Sequence, residues 1–133
     1  MIPYGHQFVD DDDVAAVVDV LRGDWLTQGP TIERFEAAIS EYVEAEYAVA
    51  FSSGTAALHG ATAAAHLGPG DVVVTSPLTF MASANCARYV GATPGLIDID
   101  LATWNMDLTQ LSGVESAVVA VHYAGLPAEL GTM

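Results

Sequence analysis

The sequence predicts an α/β fold in which short parallel strands alternate with helices. Three observations carry that expectation. Apolar runs too short for buried helices, such as "YAVAFS" (47–52) and "DVVVTS" (71–76), are bounded by turn residues, as buried parallel strands are. Alanine-rich or amphipathic segments fall between them. Glycine and proline punctuate the junctions, as in "GPG" (68–70) and at Pro77. Strands alternating with helices imply a parallel sheet with crossover connections. The 133 residues are enough for one modest α/β unit with a core of its own, and 52% are apolar, which argues against disorder.

Taken in order, Val14, Val17, Val18 and Leu21 recur at helical spacing behind Asp10 to Asp13. Acids at a helix start oppose the positive end of its dipole, so the aspartate run reads as cap and first turn. Gly23 and Gly29 break that helix. Residues 30 to 45 form a second one, with Ile32, Phe35, Ile39, Tyr42 and Val43 on one side. A strand is expected at 47–52, a helix from about Thr55 to Leu67, a strand at 71–76 and a helix at 79–90. Further strands are expected at "GLIDID" (95–100) and "AVVAVHYAG" (117–125).

Charge and cysteine content exclude several function classes. Three arginines (Arg22, Arg34, Arg88) stand against 17 acids, for a net charge of −14. Such a field repels nucleic acid and anionic lipid, since phosphate binding needs cations that displace counterions. The acidic surface fits solvation in a salty medium or docking of a basic partner. Cys86 is alone, which excludes a disulfide framework and a cysteine-cluster metal site, and no other metal site is expected. No apolar run approaches the ~20 residues that cross a bilayer. The start, "MIPYGHQFVDDDD", lacks a secretory pattern, so a soluble, cytoplasmic protein without membrane contact is expected.

The sharpest local signal is "FSSGTAALHG" (51–60): an apolar run, a Ser-Ser-Gly-Thr turn and a helix start. Free N–H groups of a first helical turn can hold a phosphate, and Gly54 lets an anion approach the backbone. Neither a Gly-x-x-x-x-Gly-Lys loop nor a Gly-x-Gly-x-x-Gly turn is present, and a plain turn with an N-cap serine explains the string equally well. Phe80 follows the next strand. It is either an ordinary core aromatic or a ring that stacks on a flat cofactor whose phosphate sits on residues 54–56.

The strings "MIPYG", "DWLTQGPTIERFE", "AVAFSSGTAALHGA", "LGPGDVVVTSPLTFMASANCARYVGATP", "DIDLATWNMD" and "VVAVHYAG" occur in this order over nearly the whole chain. They resemble the N-terminal part of the DegT/DnrJ/EryC1/StrS sugar aminotransferases, fold type I enzymes that use pyridoxal 5'-phosphate. Within that group they look most like the transaminases that form UDP-4-amino-4,6-dideoxy-N-acetyl-β-L-altrosamine for pseudaminic acid synthesis.

The resemblance implies that residues 1–133 are the N-terminal part of the cofactor-binding large domain, a partial three-layer parallel-sheet structure. It implies that Gly54, Thr55 and Ala56 form the phosphate-binding turn and that Phe80 stacks on the pyridoxal ring. Tyr4 and Asp24, Trp25, Leu26 and Thr27 match positions lining the nucleotide-sugar pocket. His122 and Tyr123 fall near the active-site mouth, without an assigned role. The implied substrates are a 4-keto UDP-sugar and an amino-acid donor, with glutamate the family habit, and the intact enzymes are homodimers.

The chain contains no lysine. Transamination needs an amine that condenses with the cofactor aldehyde and shuttles a proton, and always-protonated arginine cannot replace it. In the family that lysine, the carboxylate on the pyridine nitrogen and the small domain lie downstream of the matched strings. No residue is therefore assigned a catalytic role, and these residues alone are expected to be inactive. A non-catalytic binding or interaction remnant of the family is the alternative.

Overall fold

The structure is a computed structural model and describes residues 5–132. The chain divides into two compact units, residues 1–50 and 51–133, where the sequence reads as one.

In the first unit the acidic run behaves as its charge dictates. Helix α1 (Asp11–Arg22) is capped by Asp10, whose carboxylate accepts the Asp12 and Asp13 amides, while the Asp13 side chain accepts the Asp10 amide. This reciprocal box satisfies donors that the helix cannot. Helix α2 (Pro30–Tyr42) starts with proline in its first turn, where the missing N–H costs nothing. It stops short of residue 45 because Glu44 adopts a left-handed φ of 55°.

The expected strand at 47–52 does not form. A strand needs partners for its N–H and C=O groups, and none of the described strands lies alongside. The Ala50 amide donates instead to the Glu36 carboxylate at 2.8 Å.

The second unit is the α/β fold. Helix α3 (Gly54–Ala64) leads to β1 (Val72–Thr75), helix α4 (Ala82–Tyr89), β2 (Thr93–Leu96) and β3 (Ala117–Val119). All pairs are parallel, in the order β2-β1-β3. The central strand β1 is the most buried, and its alternation sends Val73 and Val74 to opposite faces. Val73 packs with Ala87 of α4 and with Ala92. On the other face Val74 packs with Ile97 and Met106. Pro94 stands in β2, an edge strand, a sheet position that tolerates a residue without an N–H.

All three strands are shorter than the sequence suggests, β1 by one residue at each end. "GLIDID" enters the sheet two residues early, at Thr93, and leaves it at Leu96. The Asp100 carboxylate then accepts the Ala102 and Thr103 amides and the Thr103 hydroxyl, turning the chain so that Ile99 bridges Met106 antiparallel. Those bonds hold the Asp100 carboxyl below its ordinary range. After Val119 the chain leaves the sheet for a 3-10 turn at Tyr123–Gly125.

Candidate functional site

In parallel sheets ligands bind beyond the carboxyl ends of strands, at the point where the strand order reverses. Here the chain moves from β1 to β2 on one side and returns to place β3 on the other. The reversal therefore lies between β1 and β3, and an open groove sits where those two strands end. Its volume is about 450 Å³, with Pro77 to Phe80 on the β1 side and Val121 to Ala124 on the β3 side. Thr75, buried at the end of β1, donates its hydroxyl to the Val119 carbonyl at 2.8 Å and ties the two strand ends together.

Phe80 is 76% exposed in this groove, so it is not a core aromatic. Ser76 accepts the Leu78 amide at 3.1 Å, and the Thr79 and Ser83 hydroxyls bond at 2.7 Å, which fixes the backbone on either side of it. His122 and Tyr123, to which the sequence assigns nothing, form the facing wall. The signal for them was their place just after a parallel strand, but a strand read as running to residue 125 hides the turn that delivers them.

Residues 54–56 form the first turn of α3. Ser53 is its N-cap, and its hydroxyl accepts the Ala56 amide at 3.2 Å. One of the three candidate amides is thus already used; those of Gly54 and Thr55 belong to the turn that has no intrahelical acceptors. No atom lies within 4 Å of where a Gly54 Cβ would project, so space is open before the backbone. Unlike α1, with three aspartates in its first turn, α3 has no acid there, and its positive end keeps its field for an outside anion. Residues 54–56 do not line the Phe80 groove itself.

In the first unit, Asp24 and Trp25 line a cleft of about 470 Å³ with Asp19, Arg34 and Phe35. Arg34, absent from the sequence-based set, donates to the Thr31 hydroxyl at 3.0 Å, which is what the helical spacing of the two residues permits. Leu26 lines a separate hollow with Val17 and Leu21, and Thr27 lines neither. Tyr4 lies outside the described residues. Gly29 packs so tightly that an added Cβ would come within 2.5 Å of the Trp25 Cβ.

Among the described residues no helix is long and apolar enough to cross a membrane, and no group of three or more His, Cys, Asp or Glu side chains is gathered as a metal site would require.

The same fold recurs in known proteins. The spore coat polysaccharide biosynthesis protein SpsC of Bacillus subtilis is 41% identical over 128 residues, covering 93% of this chain and 33% of SpsC. PseC of Helicobacter pylori, described as an aminotransferase involved in the biosynthesis of pseudoaminic acid, superposes with a TM-score of 0.88 at 31% identity, over 98% of this chain and 36% of PseC. The pyridoxal-phosphate form of Spr1654, a putative sugar aminotransferase from Streptococcus pneumoniae, superposes with a TM-score of 0.87 at 32% identity, over 96% of this chain and 34% of Spr1654. The chain thus spans about a third of the length of the relatives it matches. These likenesses bear out the α/β parallel-sheet fold expected of a fold type I aminotransferase. A model of the DegT/DnrJ/EryC1/StrS aminotransferase family matches residues 7–133, nearly the whole chain, and the chain belongs to that family.

Proposed function

We propose that these residues are the N-terminal part of the large domain of a pyridoxal-phosphate-dependent sugar aminotransferase, and that they build one side of its cofactor site. The observation that carries this reading is Phe80, an exposed aromatic in a groove at the β1–β3 reversal point, in a family whose solved relatives include pyridoxal-phosphate and pyridoxamine-phosphate forms. Phe80 offers one face to the ring, and the Gly54 and Thr55 amides offer donors to the phosphate. The open space before Gly54 and the absence of acid in that turn fit such a group. When bound, pyridoxal phosphate supplies an electron-accepting ring that carries the amino group between donor and acceptor. This chain's own residues seat that ring and hold its phosphate. They supply no side-chain amine to attach it, since no lysine is among them.

In the whole enzyme, a homodimer working in the cytoplasm, glutamate would donate the amino group and a 4-keto UDP-sugar would receive it. The likeness to PseC supports the pseudaminic acid branch of this chemistry, and the likeness to SpsC supports cell-surface polysaccharide synthesis more broadly. Asp24, Trp25, Leu26, Thr27 and Tyr4 are the proposed sugar-nucleotide contacts. The cleft holding Asp24 and Trp25 supports that role for those two, with Arg34 available to an anionic group.

The test uses pyridoxamine 5'-phosphate, which has no aldehyde and cannot react with the amine of Met1. The 133-residue chain should bind it reversibly, and Phe80→Ala should weaken that binding about tenfold while melting as the parent does. Equal binding by parent and Phe80→Ala would refute the cofactor reading. Incubation with glutamate and a 4-keto UDP-sugar should give no amino sugar; turnover would refute the assignment of inactivity.

A further inference from the structure

The wall of the groove opposite Phe80 is held by one buried side chain from another part of the fold. Asn105 is 5% exposed. Its Oδ1 accepts the Tyr123 amide at 2.9 Å, and its Nδ2 donates to the Leu126 carbonyl at 3.1 Å and the Pro127 carbonyl at 3.2 Å. A single carboxamide therefore grips both ends of the turn that follows β3. An amide is the group that can do this, because the task needs an acceptor and two donors within one short side chain.

Neighbouring contacts act in the same direction. Trp104 stacks on Tyr123 with ring centroids 5.8 Å apart and planes 23° from parallel. The Ala128 amide donates to His122 Nδ1 at 3.0 Å, so a neutral His122 ring carries its proton on Nε2. Trp104 and Ala124 both hold left-handed φ values, 63° and 50°, which side-chain-bearing residues keep only where their surroundings over-determine them. Asn105 lies beside one of these residues and bonds to both flanks of the other.

We propose that Asn105 is a positioning residue for the Phe80 groove: its buried carboxamide sets the His122–Ala124 wall at the separation that admits a flat ring over Phe80. The ring rests on the cofactor reading above; the positioning of the wall does not. Asn105 itself touches no ligand. It acts through Tyr123 and through the turn that carries His122.

Nuclear magnetic resonance on the full chain gives a test independent of any ligand. In the parent, the Asn105 carboxamide protons and the Tyr123 amide should be protected from exchange, and the His122 ring should be a single Nε2-protonated tautomer when neutral. Freely exchanging carboxamide protons in the parent would overturn the proposal without any variant being made. Asn105→Asp keeps the acceptor for Tyr123, loses both donors and sets a carboxylate against two carbonyl oxygens. It should expose the Leu126–Pro127 end and mix the His122 tautomers; an unchanged His122 ring in a folded Asn105→Asp protein would overturn the proposal.

The ligand arm separates positioning from mere stability. Asn105→Asp should weaken pyridoxamine 5'-phosphate binding about tenfold, as loss of a buried hydrogen-bond set implies. In the Phe80→Ala background it should add little, because both changes damage one groove. Additive losses would mark a general folding defect and overturn the positioning role. If the parent binds no pyridoxamine 5'-phosphate while His122 still responds to Asn105→Asp, the cofactor reading falls and the positioning role stands.

Discussion

Thr75 and Val119 join the two strands whose ends make the groove: the Thr75 hydroxyl, fully buried, donates to the Val119 carbonyl at 2.8 Å. The bond sits one step before the chain leaves both strands, so it bears on the separation of Pro77–Phe80 from Val121–Ala124. Valine has the shape of threonine without the donor. Thr75→Val should cost about 1–2 kcal/mol, the range for a carbonyl left unpaired in a partly dry setting. Chemical denaturation measures it, and an unchanged midpoint and slope would show that the bond is dispensable.

Gly54 separates the needs of the fold from those of an anion. Nothing in the chain occupies the space a Gly54 Cβ would enter. Gly54→Ala should therefore leave stability unchanged or raise it by up to about 1 kcal/mol, through loss of unfolded-state freedom. Binding of pyridoxamine 5'-phosphate should fall about tenfold, because the methyl group keeps the phosphate from a charge-assisted amide bond. Calorimetric titration and thermal melting on the same sample check both halves.

Gly29 sets the Trp25 turn by the opposite logic. An added Cβ would meet the Trp25 Cβ at 2.5 Å, and an atom next to the backbone cannot swing aside as a ring tip can. Gly29→Ala should cost about 1–3 kcal/mol, the usual range for overpacking. It should also shift the fluorescence of Trp25, read in a Trp104→Phe background so that one indole reports.

Acid stability should depend on Glu115, whose carboxyl is lowered from 4.5 to about 2, first by the Ser112 hydroxyl and then by backbone amides. The Ser112 hydroxyl donates to Oε1 at 2.7 Å and the Gly113 amide to Oε2 at 2.9 Å. A depressed carboxyl stabilises the fold above its unfolded value and loses that contribution as pH falls towards the folded one. The parent should therefore lose this contribution between about pH 4.5 and pH 2. Glu115→Gln should be less stable than the parent at neutral pH, and the gap should close across that window. A gap that persists at pH 2 would assign the effect to packing instead.

Much of the fold was legible because its signals are local. A valine run bounded by glycine and proline gave β1, and helical spacing behind Asp10 gave α1 and its cap. Phe80 and the 54–56 turn could be singled out by their positions after apolar runs and by the family resemblance. The run 47–52 reads as a strand yet forms none, because apolarity measures only readiness to be buried, while a strand also needs a neighbour's N–H and C=O groups.

The sequence by itself determined the chemistry available: an acid-free helix start at Gly54, an aromatic at Phe80, and no lysine amine among 133 residues. Only the tertiary structure decided that Phe80 stands exposed, and that His122 and Tyr123 face it across the β1–β3 ends. It alone decided that Asn105, 18 residues before Tyr123, holds that wall in place. The physical reason is distance along the chain. Capping and helical spacing act over a few residues, whereas strand order, and a carboxamide reaching a distant turn, exist only after the sheet has brought those segments together.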